Sequence, residues 1–261
     1  MRLICWKIRA SGMNSQLLKT KPKIVAASVV GGLHVSKKLP CQDHFEYVCG
    51  KNLVAVVSDG AGSAKYGKIG AKALCSTLCD LLKNADFTKI EEAVVFAVNV
   101  ARQKLCLHRF NKTKNEEGLS LFAATLVGVV YCKNKGVFFH IGDGAALSLY
   151  EDYSFVASRP ENGCCSCETF FFSQKAWREN LRFTKIENAK SILLMSDGLT
   201  SFAFQSDFLD IEQNFVKPID KFLREEKNMA KAKKALSNTL NMPRAQKLNP
   251  DDKTLVWIGV A

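Results

Sequence analysis

Apolar and polar positions along this chain sort into short runs that end in turns. Leu53-Val54-Ala55-Val56-Val57 runs without a break into Ser58-Asp59-Gly60-Ala61-Gly62. An apolar run of this length, bounded by a turn signal, predicts a buried strand. The pattern recurs at Ile192 to Met195 before Ser196-Asp197-Gly198, and at Val137 to Ile141 before Gly142-Asp143-Gly144. It is reversed near the end, where Asp251-Asp252-Lys253-Thr254 precedes Leu255-Val256-Trp257-Ile258. Further strands are predicted over 24–30, 45–48, 121–131, 145–150, 155–157, 169–172 and 181–186. Helical periodicity places Ile90, Val94, Ala97, Val98, Ala101 and Leu105 on one face, with Thr88 and Glu91 spaced as a capping box. A helix over about 67–82 precedes it, and 208–240 reads as helical and basic. His34 to Asp43 reads as a polar loop.

Strands arrive in adjacent runs, with helices in pairs between them. That order predicts an α+β fold, antiparallel sheets flanked by helices, rather than alternating β-α-β units. No linker, repeat or low-complexity tract divides the sequence. One domain over 1–261 is expected, with 1–23 as a basic extension or an edge strand at 3–8.

Composition adds limits. The apolar fraction of 47% is enough for a full core. No apolar run approaches the roughly 20 residues of a membrane helix, and the N-terminal apolar stretch is too short for a signal peptide. A cytoplasmic protein without membrane attachment is expected. The ten cysteines are scattered through helix and strand patterns, so reduced thiols are expected rather than disulfides. Cys75 with Cys79, and Cys164, Cys165 and Cys167, lack a second cluster at zinc-finger spacing. The formal charge of +12 is uneven: 1–24 holds six basic and no acidic residues, and 216–247 holds nine basic and three acidic. No aromatic interleaving or helix-turn-helix pattern accompanies the charge, so it reads as solvated surface rather than a nucleic-acid site.

The chemistry lies in the repeated aspartates. One Asp-Gly after a strand is an ordinary turn. Three such turns, plus Asp-Asp before the last strand, point to convergence on hard divalent cations, Mn²⁺ or Mg²⁺, which take carboxylate and carbonyl oxygens and keep several waters.

In order and spacing, Gln42-Asp43, Ser58-Asp59-Gly60-Ala61-Gly62, Gly142-Asp143-Gly144, Ser196-Asp197-Gly198 and Asp251-Asp252-Lys253-Thr254 resemble the metal-dependent protein phosphatase family of type 2C (PPM), in particular its compact bacterial members. The resemblance spans about 24–261 and implies a sandwich of two antiparallel β-sheets with helices outside. It implies that Asp59 bridges two ions, that the Gly60 carbonyl binds one, and that Asp197 and Asp251 bind the other. Asp143 matches a third, weaker metal site, and Asp43 a holder of metal-bound water. Of the adjacent acids, Asp251 takes the ligand position. Asp252 falls where the family usually has Asn, and there a hydrogen bond is expected to serve as well as a charge.

The chain departs from the family in two places. Lys38 stands where an Arg commonly contacts the substrate phosphate, and an ammonium lacks the bidentate geometry. Ala61 stands where eukaryotic members have a proposed general-acid His, so leaving-group protonation falls to metal-bound water or another group, His34 being one candidate. The implied reaction is hydrolysis of phosphoserine or phosphothreonine by a metal-bridging hydroxide, without a covalent intermediate. The implied partners are phosphoproteins and a cognate serine/threonine kinase. The competing expectations are a catalytically weak regulatory or binding module on the same fold and, more remotely, a nucleic-acid binder.

Overall fold

The computed structural model describes residues 21–161, 169–205 and 208–260. The strand expected at 3–8 and the cysteines at 164, 165 and 167 lie outside them.

Ten strands form two five-stranded antiparallel sheets. The first sheet orders β1 (Lys23–Val29), β10 (Lys253–Gly259), β9 (Ser191–Met195), β6 (Ala145–Leu149) and β7 (Phe155–Ser158). The second orders β2 (His44–Cys49), β3 (Leu53–Ser58), β4 (Leu126–Cys132), β5 (Lys135–Ile141) and β8 (Arg182–Glu187).

The central strands are apolar without alternation because both of their faces are covered. In β3, Ala55 and Val57 pack between the sheets with Val129, Leu194, Val256 and Ile258. Val54 and Val56 face outward onto α2 (Gly67–Leu82) and α3 (Ile90–Cys106). The first sheet is covered on its outer face by α4 (Asp197–Ala203), α5 (Gln213–Glu225) and α6 (Met229–Leu240), which bury Leu199, Val216, Leu223 and Leu236 against Val25, Leu193 and Trp257. Each such fully buried aliphatic side chain stabilises the fold by about 1.5–3 kcal/mol.

Four details differ from the sequence pattern. Residues 32–36 form a short helix, α1 (Gly32–Ser36), rather than a loop. Glu116–Phe122 is a 3-10 helix, so the strand expected from 121 begins at Leu126. Phe170 to Phe172 is not a strand: Gln174 N–H closes a turn onto the Phe171 carbonyl, and Phe172 N–H reaches the Ala124 carbonyl. The helix expected over 208–240 is two helices, α6 starting afresh where the Asn228 side chain accepts the Lys231 N–H. α7 (Pro243–Leu248) leads into β10.

Candidate metal centre

The antiparallel register gathers the Asp-bearing ends at one end of the sandwich. In the first sheet, the last residue of β9 pairs with the first of β6 (Met195 with Ala145), and the last of β1 with the first of β10 (Val29 with Lys253). In the second, the last residue of β3 pairs with the first of β2 (Ser58 with His44), and Ile141 with Leu126. Asp197, Asp143, Asp251, Asp59 and Asp43 therefore all leave strand ends on the same side. A side-chain bridge joins the two sheets there. The Ser196 hydroxyl donates to Asp43 Oδ2 at 2.7 Å and accepts the Thr254 N–H at 3.0 Å.

Backbone locks hold each turn. The Asp59 N–H donates to Thr125 Oγ1 at 3.1 Å, and its carbonyl accepts the Thr125 N–H at 2.8 Å. Behind it, Gly60 lies so close to the start of α2 that a Cβ there would stand 2.4 Å from the Gly67 carbonyl carbon. Gly198, in the first turn of α4, touches β10: a Cβ would stand 1.9 Å from the Asp252 carbonyl oxygen. Only glycine allows either approach. Asp143 Oδ2 accepts the Thr169 hydroxyl at 2.6 Å.

The electrostatics are those of an acidic cluster whose nearest cation, the Lys253 ammonium, interacts with it only through space. Burial raises the Asp43 carboxyl to about 6, helped by the charge of Asp252 and opposed by the Ser196 hydrogen bond. Burial, then the charges of Asp43, Asp197 and Asp251, holds Asp59 well above the carboxylate range. Burial, then Asp143, Asp251 and Asp43, raises Asp197 to about 8. Burial also raises Asp143, against the Thr169 hydrogen bond. Asp43 Oδ1 and Asp197 Oδ1 are buried with no hydrogen-bond partner. None of the five acids forms an ion pair among the described residues. The buried Lys253 ammonium donates instead to the carbonyls of Asn249 (2.6 Å) and Asp251 (2.8 Å).

Buried like charges with unpaired oxygens are costly unless a cation joins them. Among the described residues, however, no three His, Cys, Asp or Glu side chains form a ready cluster for one ion. Asp59 interacts directly with the carboxyls of Asp43 and Asp197, while the acids as a set do not close round one ion. A set of oxygens spread in this way fits a small hard cation that keeps part of its water shell, and does not fit zinc in a closed tetrahedron.

A family model for protein phosphatase 2C matches residues 30–241. The chain belongs to the protein phosphatase 2C family. Among its relatives, serine/threonine-protein phosphatase 3 of Escherichia coli K12 is 26% identical over 248 residues, covering 89% of this chain and 96% of that protein. Serine/threonine phosphatase Stp1 from Staphylococcus aureus matches with a TM-score of 0.66 at 14% identity, over 94% of this chain and 97% of that one. The catalytic domain of PstP, in complex with two manganese ions, matches with a TM-score of 0.62 at 17% identity, over 92% and 98%. At such identities the structural likeness speaks for the fold, a 2C-type sandwich. With the family model and the curated relative, it makes this chain a phosphoprotein phosphatase.

The other candidates of this 2C member separate sharply. Lys38 is exposed, at a left-handed φ of 56°, and its ammonium makes no hydrogen bond or ion pair among the described residues. His34, expected in a polar loop, lies in the short helix α1. It is 8% exposed, and its ring Nδ1 lies 2.9 Å from Asp252 Oδ2. Asp252 also differs from expectation. Its Oδ1 accepts the Gly31 N–H at 2.7 Å, and its Oδ2 accepts the Gln42 N–H at 2.6 Å as well as His34. Three donors meet two oxygens, whereas an amide offers one acceptor oxygen and would leave at least one of these donors facing an N–H. Sequence reasoning missed Ser196, Thr125 and Thr169 as supports of the aspartates. Of these, only Ser196 carried a signal, the Ser-Asp-Gly repeat itself.

Proposed function

We propose that this chain is a serine/threonine protein phosphatase that hydrolyses phosphomonoesters with two Mn²⁺ or Mg²⁺ ions, acting as one domain in the cytoplasm opposite a cognate kinase. The observation that carries the reading is the gathering of five aspartates from both sheets at one end, none of them in an ion pair among the described residues, in a member of the 2C family. Asp59, the Gly60 carbonyl, Asp197 and Asp251 would hold the two ions, Asp143 would serve a third, and Asp43 would orient water beside them. When bound, such ions lower the pKa of water and neutralise phosphoryl charge during in-line displacement.

The chain's own residues supply the frame. The Ser196 bridge fixes Asp43 of one sheet against Asp197 of the other. The contacts at Gly60 and Gly198 hold the turns that carry Asp59 and Asp197. Lys38 offers an exposed ammonium for the phosphate oxygens. The reaction calls for no thiol, and burial pushes the Cys41 thiol up to about 12.

The test is hydrolysis of p-nitrophenyl phosphate, then of phosphoserine, phosphothreonine and phosphotyrosine peptides, with Mn²⁺, with Mg²⁺ and in EDTA. Turnover of the first two peptide classes, abolished by EDTA and restored by Mn²⁺, is expected. Full turnover in EDTA would refute the metal mechanism, and none with either ion would favour a binding module.

A further inference from the structure

Asp252 is the meeting point of a segment far from it in sequence. Gly31 and Gln42 bound that segment and His34 lies inside it. All three donate to the same carboxylate, which is 1% exposed. Because a carboxylate oxygen only accepts, His34 Nδ1 carries the proton of their contact, an assignment made from its partner. The same segment leans on the lead-in to β10 at two further places. Leu33 N–H donates to the Pro250 carbonyl at 3.0 Å, and Gly32 N–H to Gln246 Oε1 at 2.9 Å. Its far end touches the other sheet, where the Gln42 carbonyl accepts the Gly60 N–H at 3.3 Å.

Lys38 sits within this fastened segment. The residues around it are held by backbone bonds, Lys38 N–H to the Val35 carbonyl at 3.1 Å and Leu39 N–H to the His34 carbonyl at 2.9 Å. With no side-chain partner for Lys38 among the described residues, the path of the backbone decides where its ammonium goes. That path is tied to the Asp252 carboxylate at Gly31, His34 and Gln42.

We propose that His34 and Asp252 are positioning residues: together they staple the Gly31–Gln42 segment to the start of β10 and so fix Lys38 relative to Asp43 and Asp251. His34 acts through the segment and not on the substrate. The kinetic part of this inference rests on the proposed phosphatase reaction with Lys38 as a phosphate contact; the structural part does not.

The test uses the full chain and the variants His34→Ala, His34→Asn, His34→Gln, Lys38→Ala and the double variant His34→Ala/Lys38→Ala. With Mn²⁺ and p-nitrophenyl phosphate, His34→Ala is expected to raise KM about tenfold, the scale of losing one charge-assisted contact, and Lys38→Ala by a similar factor. The double variant should be no worse than either single one, because both lose the same contact. An Asn amide can donate from near the place of Nδ1, so His34→Asn should bring KM back to within about twofold, whereas Gln, which reaches toward the place of Nε2, should not. Rescue by Gln in place of Asn, additive losses in the double variant, or an unchanged KM in His34→Ala would each overturn the proposal.

A second measurement does not depend on turnover. Amide hydrogen exchange, read with and without EDTA, should quicken about tenfold or more across 31–42 in His34→Ala and in Asp252→Asn, while β3 and β9 keep their protection. Unchanged exchange in that segment overturns the staple. If the wild-type chain hydrolysed none of the esters, the phosphatase reading would fall, and the exchange experiment alone would decide the staple.

Discussion

Replacing Gly198 by alanine tests whether the close approach of α4 to β10 sets the site. The added Cβ would stand 1.9 Å from the Asp252 carbonyl oxygen and 3.0 Å from its carbonyl carbon. Side-chain Cβ atoms essentially never sit closer than 3.0 Å to another atom, so the two backbones must part by more than 1 Å. Neither partner is a flexible side chain that could swing away. Overpacking of this kind costs about 1–3 kcal/mol, which lowers Tm by roughly 2–4 °C per kcal/mol in a chain of this size. The functional cost is larger. The shift moves Asp197, one residue before the glycine, away from Asp251, one residue before the carbonyl. A misplacement of about 1 Å can cost on the order of 10²-fold in rate. Gly62→Ala is the control. Gly62 belongs to the same kind of motif, yet a Cβ there meets nothing within 4 Å and its φ is not positive. It should keep Tm and kcat/KM within about twofold of wild type. The assay is p-nitrophenyl phosphate turnover at saturating Mn²⁺, with calorimetry in EDTA. Wild-type turnover and Tm in Gly198→Ala, or equal damage in Gly62→Ala, would refute the reasoning.

Asp251→Asn should lower kcat by about 10²-fold, the scale of one lost electrostatic stabiliser, while its Tm in EDTA stays level or rises as one like charge leaves; full activity would remove Asp251 from the site. Arg102 is buried and donates to the carbonyls of Phe172 (2.7 Å) and Gln174 (3.0 Å). Arg102→Met keeps most of the volume but orphans both carbonyls, and should cost about 2–4 kcal/mol in urea unfolding; a change under about 0.5 kcal/mol would contradict this. Burial, reinforced by the Arg182 charge, holds the His140 imidazole well below its ordinary range. The unfolded chain therefore binds a proton near pH 6.5 that the folded one refuses, and stability falls as the pH drops below that value. The stability gap between wild type and His140→Gln should narrow from pH 7 to pH 5, and a gap independent of pH would count against a neutral buried imidazole.

The parts of this molecule legible in its sequence are those whose cause is local. β3, β9 and β10 are apolar throughout because each is covered on both faces, and their Asp-bearing ends stand beside glycines that permit tight approach. The supports of the site were not legible. Asp252 meets His34 across 218 positions, and Ser196 meets Asp43 across 153; such pairs leave no periodic trace in either neighbourhood. Segments whose apolar residues serve tertiary packing misled the pattern. Phe172 is fully buried, yet it sits in a turn and packs in the cluster beneath α2 and α3. The short helix α1 has neither a side-chain cap nor enough length for a 3.6-residue period to show.

The crowded aspartates bear on how long the molecule survives. Crowding like charges at one end of the sandwich lowers the stability of the ion-free fold. Any cation that binds only the folded chain returns stability by mass action, rising with the logarithm of its concentration once the site fills. Under the proposed function, melting temperature would then act as a gauge of free Mn²⁺ or Mg²⁺. A cell short of these ions would hold a chain that opens more often and meets proteases sooner. The amount of phosphatase, and not only its turnover, would follow the ion supply.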